Sequence, residues 1–131
     1  MFSSTSQTEN KQVRDYAILC DKLLEEHEVR FAGIINKMGR LIDGGFKEGI
    51  TPLADEEEQK MCMEHALELV MTKDLDNVLG PIKYLTAKRE KITMITIPIQ
   101  IGALLICIEP KYNAEDTIKK INLELISNQI I

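Results

Sequence analysis

The chain has 131 residues, of which 44% are apolar and 28% charged, a balance typical of one globular domain with its own core. A net charge of -5 disfavours nucleic acid and anionic lipid surfaces as partners. Residues 1–12 lack the basic and then apolar pattern of a secretory signal. We therefore expect a cytoplasmic protein with a flexible leader over residues 1–8 and a single domain over residues 9–131.

The first predicted elements are a helix and a hairpin. Between Glu9 and His27, apolar residues recur at steps of three and four, which is the period of a helix with one buried face. Two apolar strands follow, from Arg30 to Asn36 and from Arg40 to Phe46. Gly39 lies between them and can adopt the positive φ that a tight turn requires.

A second helix is predicted to begin at Asp55, with Asp55 as the N-cap and Glu58 as the acid of a capping box. Its apolar residues surround more than one side of the helix, so we expect it to pack on the core and to present a second apolar face. These residues are Met61, Cys62, Met63, Ala66, Leu67, Leu69, Val70 and Met71. The sequence "KDLDNVLGP" predicts a further turn or short helix that ends at Gly80 and Pro81.

From Ile82 the pattern changes to strands. Ile82, Tyr84 and Thr86 are predicted to share one face of a strand that ends at the charged turn "KREK". Seventeen uncharged residues then lie between Lys91 and Glu109, close to the ~18 that make a membrane-spanning helix plausible.

This uncharged segment reads better as two strands than as a membrane helix. It is rich in β-branched residues, and Pro98, Gln100 and Gly102 interrupt it near its middle. We interpret it as two buried strands, Ile92 to Ile99 and Ala103 to Ile108, with no membrane insertion.

A final helix completes the predicted order. Asn113 and Asp116 indicate its start, and its apolar stripe consists of Ile118, Ile121, Leu125 and Ile126. The order is α-β-β-α-β-β-β-α. Because both faces of the last strands are too apolar to face water, we predict an α+β fold with a central five-stranded antiparallel sheet covered by helices.

In this order the chain resembles the roadblock/dynein-light-chain family of the profilin-like and longin-like domains. Three segments carry the resemblance, which covers roughly residues 10–127: "FAGIINKMGRLIDGGF", "DEEEQKMCMEHALELVMTKDL" and "KITMITIPIQIGALLICIEP". The segments "RFAGIINKMGRLIDGGF" and "KREKITMITIPI" are also similar to a group of small archaeal proteins of unassigned function.

The resemblance implies a homodimeric or heterodimeric platform that binds small GTPases or scaffold proteins. In that family the subunits pair through the middle helix and the following strand, here Asp55 to Lys73 and Ile82 to Arg89. The implied interface residues are Met63, Leu67, Val70, Met71, Ile82, Tyr84 and Leu85.

One chemical alternative is a metal site on the middle helix. Glu58, Cys62 and His65 have i, i+4 and i+7 spacing and project from one face, as three metal ligands would. A single helix cannot complete a four-coordinate site, and no further Cys or His cluster supplies the missing donor, so we predict no metal and no cofactor.

The cysteines are predicted to be inert. Cys20, Cys62 and Cys107 are far apart and each lies in an apolar segment, so we expect reduced, buried thiols with raised pKa. A catalytic thiol would need a nearby base, for which His27 and His65 are the candidates.

No catalytic motif or phosphate loop is present in the sequence, so the leading hypothesis is a non-enzymatic interaction or regulatory domain that forms a homodimer, with a small GTPase as one candidate partner. Four basic residues lie near the predicted turn "KREK": Lys83, Lys88, Arg89 and Lys91. This basic group is either a solvated hairpin tip or a docking site for an acidic partner. The alternatives are a sensor with a small-molecule pocket of a few hundred Å³ between the sheet and the helices, and a metal- or thiol-dependent enzyme.

Overall fold

The structure, a computed structural model, describes residues 3–127, and the order of its main elements is the predicted one. The elements are α1 (Ser3–Leu24), β1 (Val29–Asn36), β2 (Leu41–Phe46), α2 (Asp55–Thr72), a 3-10 turn (Lys73–Leu75), α3 (Asp76–Leu79), β3 (Leu85–Lys88), β4 (Thr93–Pro98), β5 (Gly102–Ile108) and α4 (Ala114–Ser127). The short α3 is the predicted extra turn, and Gly80, with a φ of 85°, ends it.

The five strands form one antiparallel sheet, as predicted, and their spatial order is β2-β1-β5-β4-β3. In the centre, Ile34 of β1 faces Leu104 of β5, and Ile106 of β5 faces Ile95 of β4. The long uncharged segment therefore forms two paired strands. No helix among the described residues is long and apolar enough to cross a membrane.

Helices cover both faces of the sheet. Because side chains alternate along a strand, β1 and β5 contribute to two cores at once. The core under α1 and α4 contains Leu19, Leu23, Ile34, Leu104, Ile106 and Ile121. The core under α2 contains Phe31, Ile35, Cys62, Leu69, Leu105 and Cys107.

The bounds of α1 and the N-cap of α2 differ from their predicted positions. Helix α1 begins at Ser3 and ends at Leu24, so the predicted range from Glu9 to His27 was wrong at both ends. Helix α2 takes Ala54 as its N-cap and makes no side-chain cap hydrogen bond, so the predicted capping role of Asp55 was also wrong. The acidic first turn of α2 still suits the positive end of the helix dipole.

Helix α4 starts as predicted. The Asn113 side-chain oxygen accepts a hydrogen bond from the Glu115 backbone N–H at 2.9 Å. Ile118, Ile121 and Leu125 are buried, but Ile126 is exposed, so its predicted place in the apolar stripe was wrong.

Strand β3 begins only at Leu85, three residues later than predicted. Residues 81–84 reach the sheet edge outside the strand, so the two-residue alternation does not apply to them. As a result Ile82 packs against the core under α2, whereas Tyr84 packs on the opposite side and its hydroxyl donates to Glu115 Oε1 at 2.7 Å. The predicted common face of Ile82 and Tyr84 was wrong.

A buried carboxylate links α4 to the start of β1. Glu28 is buried, and Lys120 Nζ donates to its Oε2 at 2.8 Å while also lying 3.4 Å from Glu26 Oε1. Burial raises the pKa of the Glu28 carboxyl, but the hydrogen bond from Lys120, a backbone hydrogen bond and the charge of Lys120 together act against burial, and the net pKa is lowered.

Candidate interaction surface

One flank of α2 consists of large apolar side chains that the fold leaves exposed. We call this set the outer stripe; its members, between 48% and 69% exposed, are Met63, Leu67, Val70 and Met71. The buried residues of the same helix are Cys62, His65, Ala66 and Leu69. At about 100° per residue, the two sets point roughly 130° apart around the helix axis. Helix α2 therefore has the second apolar face that its sequence predicts.

The exposed apolar surface continues past the end of α2. We call residues 73–79, the 3-10 turn and α3, the apolar extension; none of its residues is buried. Leu75, Val78 and Leu79 are 55%, 78% and 75% exposed. Sequence reasoning assigned no function to this segment. The signal for it is the three- and four-residue spacing that continues from Met71 through Leu75 to Val78 and Leu79.

The β1–β2 turn lies against the first half of α2. The Asn36 side-chain oxygen accepts hydrogen bonds from the backbone N–H groups of Met38, at 3.0 Å, and Arg40, at 2.9 Å. Gly39, buried and with a φ of 85°, packs directly on Met63. These contacts hold Met38, which is 85% exposed, beside the outer stripe.

An open groove of about 440 Å³ runs between this turn and α2. Met38, Met63 and Leu67 supply most of its apolar lining, and Lys37 and Lys60 supply positive charge. The single acidic side chain in its lining is Glu64. An open, elongated apolar groove of this kind suits a helical segment of a protein.

A smaller pocket lies at the C-terminal end of α2. It has a volume of about 100 Å³ and is lined by Val70, Ile82 and the β4–β5 turn, among others. Pockets for drug-sized ligands typically measure roughly 300–1,000 Å³. This pocket is therefore smaller than the one that a sensor function was expected to need.

The remaining predicted interface residues lie in different surroundings, and each is half-buried by its own chain. Ile82 shares the small pocket with Val70 and so adjoins the outer stripe. Leu85 packs beneath α2, and Tyr84 faces α4. The structure therefore brings Ile82, but not Tyr84, to the exposed flank of α2.

Lys88, Arg89 and Lys91 lie at the tip formed by the β3–β4 turn, whereas Lys83 precedes β3 at its other end, so the predicted basic group does not meet at one tip. Lys83, Lys88, Arg89 and Lys91 are all exposed. Lys88 Nζ donates to the Pro110 carbonyl at 2.7 Å, which ties its side chain to the loop before α4. A docking role for this group stays a prediction.

The candidate metal ligands are not assembled into a site. Among residues 3–127, no three His, Cys, Asp or Glu side chains are placed to hold a metal ion. His65 is buried, and its ring nitrogens Nε2 and Nδ1 lie 3.1 Å from Met94 Sδ and 3.0 Å from Thr96 Oγ1. A thioether accepts but does not donate, so the neutral ring donates from Nε2 and accepts the Thr96 hydroxyl at Nδ1.

Burial and the nearby charges together lower the pKa of His65. Burial is the largest effect on its pKa and lowers it, and the positive charge of Arg89 acts in the same direction. Glu64 and Glu68 act in the opposite direction without reversing the net shift. Neutral His65 is thus part of the contact between α2 and β4.

The three cysteines are buried, reduced thiols, as predicted. Burial raises the pKa of Cys20 and Cys107 to about 12 and that of Cys62 to about 11. Nearby carboxylates raise the pKa of two of them further: Glu58 acts on Cys62, and Asp43 and Asp21 act on Cys20. Thiols of this kind are poor nucleophiles at neutral pH.

The comparison with protein families finds a match to the model described as "Family of unknown function (DUF6659)", over residues 8–128. None of the curated proteins matches the chain.

Solved structures share the fold at low sequence identity. The Roadblock/LC7 domain from Streptomyces avermitilis has a TM-score of 0.65 and 8% identity, over 86% of this chain and 93% of that one. The gliding protein MglB from Thermus thermophilus has a TM-score of 0.66 and 13% identity, over 88% and 84%. An MglB described as having a tetrameric arrangement has a TM-score of 0.66 and 14% identity, over 88% and 83%. The predicted roadblock-like fold is confirmed.

Proposed function

Since this chain belongs to the family of unknown function DUF6659 and has a roadblock-like fold, we propose that it is a non-enzymatic interaction domain that forms a homodimer through the outer stripe of α2. The dimer would serve as a cytoplasmic platform for a signalling partner. A small GTPase is the candidate partner that the roadblock resemblance implies. The similarity to a group of small archaeal proteins also stays a prediction.

The observation that supports this proposal is the size of the exposed apolar surface. The outer stripe, the three apolar residues of the extension and Met38 together expose on the order of 1,000 Å², whereas the largest apolar patch on a typical monomer is about 300–600 Å². A standard protein interface buries about 800 Å² per partner. The surface is therefore large enough for a stable dimer and too large to be left in water at no cost.

Two further observations agree with an interaction role. At least one protein with this fold has a tetrameric arrangement, so the fold is compatible with self-association. Among the described residues, the three cysteines and His65 are buried and engaged in packing, whereas His27, the other candidate base, is exposed. The exposed surface of α2 offers apolar contact area instead of reactive groups.

The basic group is a second candidate surface, with Lys88, Arg89 and Lys91 at the tip formed by the β3–β4 turn and Lys83 before β3. Lys83, Lys88, Arg89 and Lys91 would suit an acidic protein partner because exposed positive charge speeds and orients such encounters. The tip lies on the β3 edge of the sheet, away from the β1–β2 turn. A dimer formed through the outer stripe would leave it accessible.

The mass of the protein in solution tests the proposal. Wild type is expected to have twice the monomer mass by light scattering, and Leu67→Glu is expected to be a folded monomer. The matched control is Leu123→Glu on α4, because Leu123 is about as exposed as Leu67 but lies on the other side of the sheet. A wild-type monomer at high concentration, or a dimer that survives Leu67→Glu, would rule out this interface.

A further inference from the structure

Within the part of the chain that the structure describes, the three large side chains of the apolar extension belong to neither hydrophobic core. Leu75, Val78 and Leu79 are more than half exposed, and they continue the outer stripe without a break in helical spacing. The stripe and the extension together run from Met63 to Leu79: Met63 to Met71 spans about 12 Å at the rise of an α-helix, and the 3-10 turn then leads into α3. Met71 is the midpoint of this surface.

The groove beside the β1–β2 turn is apolar, like the extension, but its net charge has the opposite sign. Its lining combines Met38, Met63 and Leu67 with two lysines, Lys37 and Lys60. The extension combines its aliphatic side chains with two acidic residues, Asp74 and Asp76, and one lysine, Lys73, so its net charge is negative. Glu64 in the groove and Lys73 in the extension are the charges that oppose this match.

The acidic start of α2 decides the relative direction of two copies. Asp55, Glu56, Glu57 and Glu58 occupy the first turn. If two α2 helices packed side by side in parallel, these two sets of four carboxylates would meet, and like charges at close range repel. An antiparallel pair separates them, and it is compatible with a closed twofold dimer.

On these grounds we propose that, in a dimer formed through the outer stripe, the apolar extension of each copy fills the groove between the β1–β2 turn and α2 of the other copy. This inference rests on the proposed homodimer and adds its arrangement. In an antiparallel pair centred on Met71, Leu79 of one copy lies opposite Met63 of the other, and Met38 lies beside Met63. The two extensions then cover both grooves, and the interface closes on itself.

Cross-linking between two differently substituted chains tests the arrangement. Met38→Cys and Leu79→Cys variants are prepared separately, mixed, allowed to exchange subunits and treated with a short bismaleimide. A product that contains one copy of each variant is necessarily intermolecular, and mass spectrometry identifies it. The native cysteines are buried, so they contribute little background.

The control mixture combines Leu79→Cys with Leu123→Cys, which places the second thiol on α4. The first mixture is expected to give at least tenfold more mixed product than the control. Light scattering on the same samples reports whether dimers form. Dimers without the expected product would overturn this arrangement but leave the proposed homodimer in place, and monomers would overturn both.

Discussion

Gly39 in the β1–β2 turn lies against the backbone of Met63 in α2. A Cβ added at Gly39 would come within 2.6 Å of Met63 Cα, a distance that real Cβ atoms essentially never show. Its φ of 85° is also in the region that side chains rarely adopt. This contact sets the position of Met38, and with it the width of the groove that borders the outer stripe.

The first prediction concerns this contact. We expect Gly39→Ala to lower the free energy of unfolding by about 1–3 kcal/mol more than Gly49→Ala, because overpacking adds to the backbone strain. Gly49 is a matched control: its φ is 88°, but nothing lies within 4 Å of an added Cβ. Urea unfolding measures both variants. Equal destabilisation would mean that the turn can move away from α2 freely.

The second prediction concerns the ion pair between Glu28 and Lys120. Removing the lysine leaves a buried carboxylate without its strongest partner. We therefore expect Lys120→Met to lower the free energy of unfolding by about 1–3 kcal/mol, less than for a fully buried pair because Lys120 is partly exposed. Lys119→Met is the control, because Lys119 precedes Lys120 in the same helix and is exposed. Similar unfolding midpoints for the two variants would contradict a stabilising pair.

The same pair predicts the response to acid. The pKa of Glu28 is lower in the folded protein than in the unfolded chain, so its contribution is present above the unfolded pKa, about 4.3, and is lost as the pH falls through the folded value. We therefore expect the difference in stability between wild type and Glu28→Gln to shrink as the pH is lowered below about 4.3. Unfolding curves from pH 6 to pH 3 measure it, and a constant difference would contradict the assignment.

Much of the fold follows from local pattern. The sequences of β1 and β5 are continuous apolar runs because both of their faces are buried. The sequence of α2 predicts two apolar faces because Met63 and Leu67 fall outside the buried face that contains Cys62 and Leu69. The helix ends were less predictable, because the N-cap of α2 depends on the path of the preceding loop and not on Asp55 alone. Tyr84 was misplaced for a similar reason, since the chain enters β3 only after residues 81–84 have crossed to the sheet edge.

The surface was harder to predict than the core. Met38 reaches the outer stripe only because Gly39 packs on Met63, a contact between distant segments that no local pattern reveals. The ion pair of Glu28 is equally hard to predict, because its partner Lys120 lies 92 residues away in the sequence. The extension, by contrast, carries a local signal in the spacing of Leu75, Val78 and Leu79.

The third prediction concerns His65 and mild acid. Its pKa is lowered in the folded protein, so the unfolded chain binds a proton first and stability rises with pH in that range. We expect wild type to lose stability as the pH falls below about 6.5, down to the folded pKa of His65. His65→Gln, which keeps a polar side chain but cannot titrate, is expected to show a flatter profile. His27→Gln replaces the other histidine, which is exposed, and serves as the control. A wild-type profile retained in His65→Gln would contradict this role.

The fourth prediction concerns the cysteines. Since burial raises the pKa of all three thiols and hides them from reagents, we expect no modification of the native protein by a maleimide at pH 7 within the time that labels the urea-unfolded chain completely. Cys62 has the lowest of the three values and lines an open groove with Asp55 and Glu58, so it should react first when labelling is prolonged. Peptide mapping by mass spectrometry gives the order. Because Cys62 lies on the buried face of α2, its labelling also reports how often that helix separates from the sheet. Labelling of Cys107, in the centre of the sheet, before Cys62 would contradict this account.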